Sequence, residues 1–408
     1  MIPDPERENA LLLEPGRLGP LQTANRLVRS GTSETMASPD GAVTDDLVSL
    51  YERLAGGGVG TIFTGHLYSH PRGKYARRQT GIYSDTLIPG LRRIADAVHT
   101  RGGLILAQVA HAGSQSRVPQ VAPIAPSAVP NALTGRIVSD ASAEEIAEAV
   151  DAFGAAAGRA IQAGFDGVHI HAANGYLISE FLSPLTNRRQ DEWGGDPECR
   201  AAFALAVVRA VRAAVPADRA LTMKLGFHDA PPGGLSVQDV VQVAGRVVSE
   251  GVDAIEVSCG VMLRATDSCA EYVAVDRRRA VDDLLPHRIL SLAAGEAYFV
   301  PYARALREQV NTTVVAVGGM RRTGTMAAVL RSGDADFIAM ARPYIREPDL
   351  AAQIAAGRTG LVDCTSCNLC LRHEGHHSLR CWRTPRRRLV HHAAYRVAGG
   401  FRWGPRGQ

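Results

Sequence analysis

The chain is poor in aromatic residues, in cysteine and in long apolar runs, and each shortage excludes something. No stretch approaches the ~18 consecutive apolar residues that a membrane helix needs, so no membrane contact is expected. Met1 to Asn9 are polar and hold no signal-peptide core, which makes a cytoplasmic protein the expectation. No G-x-G-x-x-G occurs, and with it goes the glycine fingerprint of a doubly wound dinucleotide-binding sheet. Zinc-finger and helix-turn-helix spacings are missing too, so nucleic acid is not an expected partner. Phe, Trp and Tyr make up 5% of the 408 residues, a thin supply for caging a cationic ligand. Cysteines number seven, yet four of them fall between Cys364 and Cys381. Such clustering without a signal peptide reads as metal binding rather than a disulfide framework.

What is present supports a sizeable core. Hydrophobic residues are 46% of the chain, and the length suits one large barrel with an extra piece, or two ordinary domains. The net charge of +4 is unevenly spread. From Leu371 to Gln408 nine Arg face Glu374 alone, a local +8 that leaves −4 on the rest. A basic tail can contact nucleic acid or an acidic substrate; the plain reading is a solvated or subunit-contacting tail. A homo-oligomer is expected.

Eight short apolar runs read as strands: Arg26–Thr32, Val59–Gly65, Gly103–Val109, Gly167–His171, Leu221–Leu225, Ala254–Ser258, Thr313–Val317 and Phe337–Met340. Between them lie segments of helical spacing, among them Asp85–Thr100, Ser142–Ala163, Pro197–Ala214, Ser236–Glu250 and Thr323–Ser332. Asp85, Ser142, Asp196 and Ser236 are helix start signals, and Gly102 and Gly164 are stops. The alternation predicts an α/β fold, a (β/α)8 TIM barrel over residues 1–358. Residues 359–408 then form a short, basic, Cys-containing C-terminal appendage. Two connections, Ala110–Ser139 and Gly260–Tyr298, are long enough to be functional and leave the face where barrels hold their sites. They are expected to form the substrate lid and wall.

The richest stretch runs from His169 to Pro184. It opens as a buried strand and breaks into His171, Asn174 and Tyr176 where the strand empties into a loop. Two of these can donate hydrogen bonds to one carbonyl oxygen, and the third is a phenol that can give up a proton. Strands seven and eight end in Gly318-Gly319 and in Ala341-Arg342. Glycines there let backbone N–H groups approach a phosphate, and Arg342 offers it a planar fork.

Together with Leu185 to Gly195, the His169–Pro184 run resembles the signature of the old yellow enzyme family of flavin oxidoreductases. The resemblance spans roughly Leu18 to Pro348. It implies that the phosphate is that of FMN and that NAD(P)H is the electron donor. Ser30, Thr32 and Ser33 match the segment beside the flavin ring, although many relatives carry a Pro and a Cys or Thr there. Gly65 ends strand two, Gln108 matches the residue holding the flavin pyrimidine, and Lys224 stands where many relatives have Arg. His171 and Asn174 are implied to stabilise an enolate, and Tyr176 to protonate the α-carbon of a carbonyl-conjugated alkene. His169, deeper on the same strand face, is given no catalytic role.

Cys364, Cys367, Cys370 and Cys381 make C-x2-C-x2-C-x10-C. Four thiolates so spaced suit zinc or a 4Fe–4S cluster, and His373, His376 and His377 could serve zinc. The position resembles the 2,4-dienoyl-CoA reductase and trimethylamine dehydrogenase branch, where a cluster relays electrons to FMN. That branch continues into a dinucleotide-binding domain that is not seen after Cys381. A cluster here would take electrons from a separate donor protein, or the flavin directly from NAD(P)H. The expected activity is FMN-dependent reduction of a small activated alkene or dienoyl substrate. An amine dehydrogenase and a non-catalytic electron-transfer subunit are the alternatives.

Overall fold

A computed structural model of the chain describes residues 5–131, 134–229, 232–261, 295–366, 370 and 377–382. Eight strands close on themselves in parallel. They are β1 Leu27–Arg29, β2 Thr61–Phe63, β3 Leu104–Ala110, β4 Gly167–Ala172, β5 Ala220–Gly226, β6 Ala254–Ser258, β7 Thr313–Ala316 and β8 Phe337–Met340. Each pairs with its neighbour in sequence, and β8 returns to β1 through Ile338 beside Leu27. Closure leaves no sheet edge, and the expected (β/α)8 barrel is the fold. A small antiparallel hairpin, Gly16–Leu18 with Leu21–Thr23, precedes it.

Helix faces follow the sequence spacing. In Ala143–Gln162 the buried positions Ile146, Ala149, Phe153, Ala156, Ala157 and Ala160 recur on one stripe, the period of an amphipathic helix laid on a sheet. Ser142 caps it reciprocally with Glu145, and Ser236 does the same with Asp239. Asp196 caps Pro197–Ala214. Asp85 does not cap. Ser84 accepts from Thr86 N–H to open a 3-10 turn over Asp85–Leu87, and the α-helix begins only at Ile88, where Pro89 suits the first turn. Gly102 and Gly164 have φ of +71° and +91°, the left-handed stops anticipated.

The expected first strand is too long at both ends. Beyond Arg29 the chain turns across the barrel end, with Gly31 so close beneath Gln108 that a Cβ would overlap its amide. Most of the second long loop, residues 262–294, lies outside the described residues, as do His373, His376 and most of the basic tail. Among the described residues no helix is long and apolar enough to cross a membrane.

Candidate active site

Strand alternation aims His169 and His171 of β4, Thr222 and Lys224 of β5 and Glu256 of β6 into the barrel. The register sets His171 beside Lys224 and Lys224 beside Glu256. Lys224 Nζ lies 3.1 Å from Glu256 and donates to Ser30 Oγ at 3.0 Å. Ser30 in turn donates to Glu256 at 2.6 Å, and His169 bridges Glu256 (3.1 Å) and Thr222 (2.7 Å) while stacking on Phe63. Burial alone would raise the Glu256 carboxyl. The Lys224 cation, with the hydrogen bonds of His169 and Ser30, outweighs it and holds the group at about 2. His169 thus has a structural task, and Lys224 is a fixed cation at the end of β5. Glu256, absent from the sequence reading, is the anion that fixes it. Its signal was one acid inside the apolar strand Ala254–Ser258.

Nearer the mouth, His171 and Tyr176 meet edge to face with ring centroids 4.7 Å apart. Burial, reinforced by the neighbouring His66, Lys224 and His169, pushes His171 well below the usual imidazole range, so it is neutral at pH 7. Ala173 N–H donates to its Nδ1 at 3.4 Å, leaving the proton on Nε2 as a hydrogen-bond donor. Asn174, at φ +59°, donates its side-chain amide to Cys259 Sγ at 2.9 Å. A substrate oxygen would compete with that sulfur, a weak acceptor. Two residues the sequence reading missed therefore line this mouth. Cys259 faces Asn174, and buried His66 sits 3.4 Å from the Tyr176 hydroxyl.

Around the same barrel end, several buried donors have no partner among the described residues: Ser33 Oγ, Gln108 Nε2, Ser258 Oγ and Arg321 Nη2. Buried polar groups are almost always paired, so a polar ligand reaching β1, β3, β6 and the β7 loop fits them. FMN is such a ligand. Gly318 and Gly319 take φ of +101° and +71°, which lets the loop after β7 turn sharply. A Cβ on Gly318 would come within 2.7 Å of Phe299 and Tyr298. Ala341 leads into the short helix Arg342–Arg346 after β8. Burial lowers Arg321 against the opposing pull of Cys364 and Glu296, and repulsion from Arg342 and Arg322 adds to the drop; Arg322 is itself paired with Glu296 at 3.1 Å. Arg321 was not anticipated. Gly65 has another task, its N–H donating to Glu34 and the Tyr51 hydroxyl.

The loop after β3 forms a wall. Ser114, Gln115, Pro126 and Asn131 meet Gly175 and Glu180 around a cavity of only about 20 Å³, room for about one water. Burial pushes Glu180 up to about 8 despite hydrogen bonds from Ser114, so this wall is uncharged at neutral pH. Beyond β8, Val362 N–H donates to Arg321 O, Arg346 pairs with Asp363 at 2.7 Å, and Leu379 N–H donates to Glu34 O. Cys364, Cys370 and Cys381 are described; Cys367 is not. Among the described residues no three His, Cys, Asp or Glu side chains come together to hold a metal ion. The expected 4Fe–4S or zinc site finds no support in this geometry.

Residues 11–360 match the model of the NADH:flavin oxidoreductase / NADH oxidase family. The chain is 35% identical over 368 residues to the metal reductase of Desulforamulus reducens, covering 89% of this chain but only 52% of that protein, about half its length. It is 32% identical over 373 residues to the 4,4'-dithiodibutanoate disulfide reductase of Rhodococcus erythropolis, covering 88% and 92% of the two chains. Among solved structures, 2-naphthoyl-CoA reductase with 2-naphthoyl-CoA superposes with a TM-score of 0.82 at 23% identity, over 93% of this chain and 57% of that one. The old yellow enzyme homologue from Zymomonas mobilis gives 0.70 at 24% identity, over 90% and 99%. Both structural likenesses are of fold.

Proposed function

Because this chain belongs to the NADH:flavin oxidoreductase / NADH oxidase family, we propose that it is an FMN-dependent reductase of a small carbonyl-conjugated alkene. Bound FMN would supply a hydride, drawn from NAD(P)H, to the β-carbon of that alkene. The observation that carries the reading is the His171–Tyr176 pair at a barrel mouth ringed by buried, unpartnered donors. Gln108 Nε2 and the cation of Lys224 would hold the flavin's polar edge. The glycine loop with Arg321 and Arg342 would hold its phosphate. His171 Nε2–H donates to the carbonyl oxygen as negative charge gathers there, and Tyr176 gives its phenolic proton to the α-carbon. Asn174 can turn its amide from Cys259 to the same oxygen. The β3 loop walls the substrate, and residues 361–366 pack onto the barrel past β8.

Disulfide reduction is a second reading, favoured by the Rhodococcus relative, whose length this chain nearly spans. There hydride would break the S–S bond and Tyr176 would protonate the leaving thiolate. Tyr176→Phe tests the donor assignment. NAD(P)H should reduce the bound flavin at the wild-type rate, while reoxidation by 2-cyclohexenone slows by ~10²-fold or more. Unchanged reoxidation would make the assignment wrong. Faster turnover of 4,4'-dithiodibutanoate than of the enone would favour the second reading.

A further inference from the structure

His66 is used by nothing above, yet it is buried against the phenol that the proposed reaction depends on. It lies just past β2, and Leu67–Tyr68 then pairs with Val109 and Ala110 of β3, which pins its backbone. Its ring centroid is 5.3 Å from Tyr176, 5.4 Å from Tyr75 and 6.2 Å from His171. Its Nε2 is 3.4 Å from the Tyr176 hydroxyl, and its Nδ1 is 2.6 Å from Gln79 Nε2.

These contacts fix where the proton sits. The backbone N–H of Tyr75 can only donate, and it meets Gln79 Oε1 at 2.6 Å. That settles the orientation of the Gln79 amide, which also donates to the His66 carbonyl at 2.9 Å. Gln79 Nε2 is therefore a donor, and the His66 Nδ1 it faces must be a lone pair. Burial pulls His66 down to about 4, so the ring is neutral at pH 7 and its single proton lies on Nε2. That proton points at the oxygen of Tyr176.

We propose that His66, locked in this tautomer by Gln79, is a positioning residue for Tyr176. Its Nε2–H donates to the phenol oxygen, turns the phenolic proton toward the substrate and stabilises the phenolate that remains. The step balances without His66 changing state. The Tyr176 O–H bond breaks, a C–H bond forms at the α-carbon, and the negative charge passes from the enolate oxygen to the phenol oxygen. Water at the mouth restores the proton afterwards. A proton wire through His66 is excluded, because the amide on Nδ1 cannot pass a proton on. The inference rests on Tyr176 being the proton donor.

The test uses the flavin-loaded enzyme with His66→Phe, which keeps a ring but removes the donor. His66→Gln serves as its partner, since its amide N–H reaches the place of Nε2. His66→Phe should slow reoxidation by 2-cyclohexenone ~10-fold and leave reduction by NAD(P)H alone. The high-pH limb of reoxidation should move to higher pH, because the phenol loses the donor that stabilises its anion. Among the described residues, the ionisable groups facing Tyr176 are His66, Tyr75 beneath Arg117, and His171 with Lys224 behind it. The imidazoles are already neutral in that range, and a Tyr75→Phe control separates its phenol. His66→Gln should recover most of the rate and the original limb. Equal slowing in both variants with no movement of the limb would reduce His66 to packing, and wild-type rates in both would remove it altogether. Either result overturns the proposal while slow Tyr176→Phe upholds the donor. Rapid Tyr176→Phe would overturn both.

Discussion

His66 and His111 carry a cost that pH exposes. In the unfolded chain both imidazoles take up protons near 6.5; in the fold burial delays this to about 4 and about 3. The unfolded state therefore binds more protons between 6.5 and about 4, so the stability these groups contribute is full above 6.5 and falls as pH falls. Glu180 has the opposite sign. Its folded value is raised to about 8, so its contribution is present below its ordinary value and is lost as pH rises. Buried His169 and His171 are lowered in the same direction, so below 6.5 the imidazoles outweigh Glu180, each unbalanced proton being worth roughly 1.4 kcal/mol per pH unit. A melting series from pH 7 to 5 should show the transition falling, and a flat series would contradict the neutral imidazoles. Lys224→Met, which strands the buried Glu256 carboxylate, should cost about 3–5 kcal/mol in urea unfolding. His171 and Tyr176 were legible because they sit a few residues apart. Glu256 and His66 were not, because their partners are 32 and 110 residues away.

At the scale of elements, local signals fixed most boundaries. Ser142 with Glu145 makes a capping box, and Ser142→Ala should cost about 1 kcal/mol in chemical denaturation without touching flavin binding. Asp85 misled because Ser84 stands one residue earlier and satisfies the same orphan donors. The loops after β7 and β8 carry a different prediction. If Gly318, Gly319, Arg321 and Arg342 bind the FMN phosphate, Arg342→Ala should lower the FMN recovered per chain while retained flavin reacts normally. Arg321→Ala should do the same. Full occupancy in both variants would move the phosphate elsewhere.

The whole molecule joins barrel and appendage more closely than a boundary at 358 suggests. Leu361 bridges Arg322, Val362 is buried, and Asp363 pairs with Arg346. A chain ending at Arg358 should therefore melt several degrees lower than the full chain, measured with equal flavin loading. An unchanged melting point would make residues 361–366 a passive covering.

The sequence by itself determined the barrel, because eight alternations of strand and helix spacing with caps and glycine stops are local properties. It also determined the His171, Asn174 and Tyr176 cluster and the glycine-arginine pair, each compact in sequence. Only the tertiary structure decided what those residues touch. Strand register put Lys224 against Glu256, and the turn after β2 carried His66 to the phenol of Tyr176. The same folding occupied the Asn174 amide with Cys259 and drew residues 361–366 onto Arg321 and Arg346. Those contacts join residues far apart along the chain, and no periodicity within a strand or a helix encodes them.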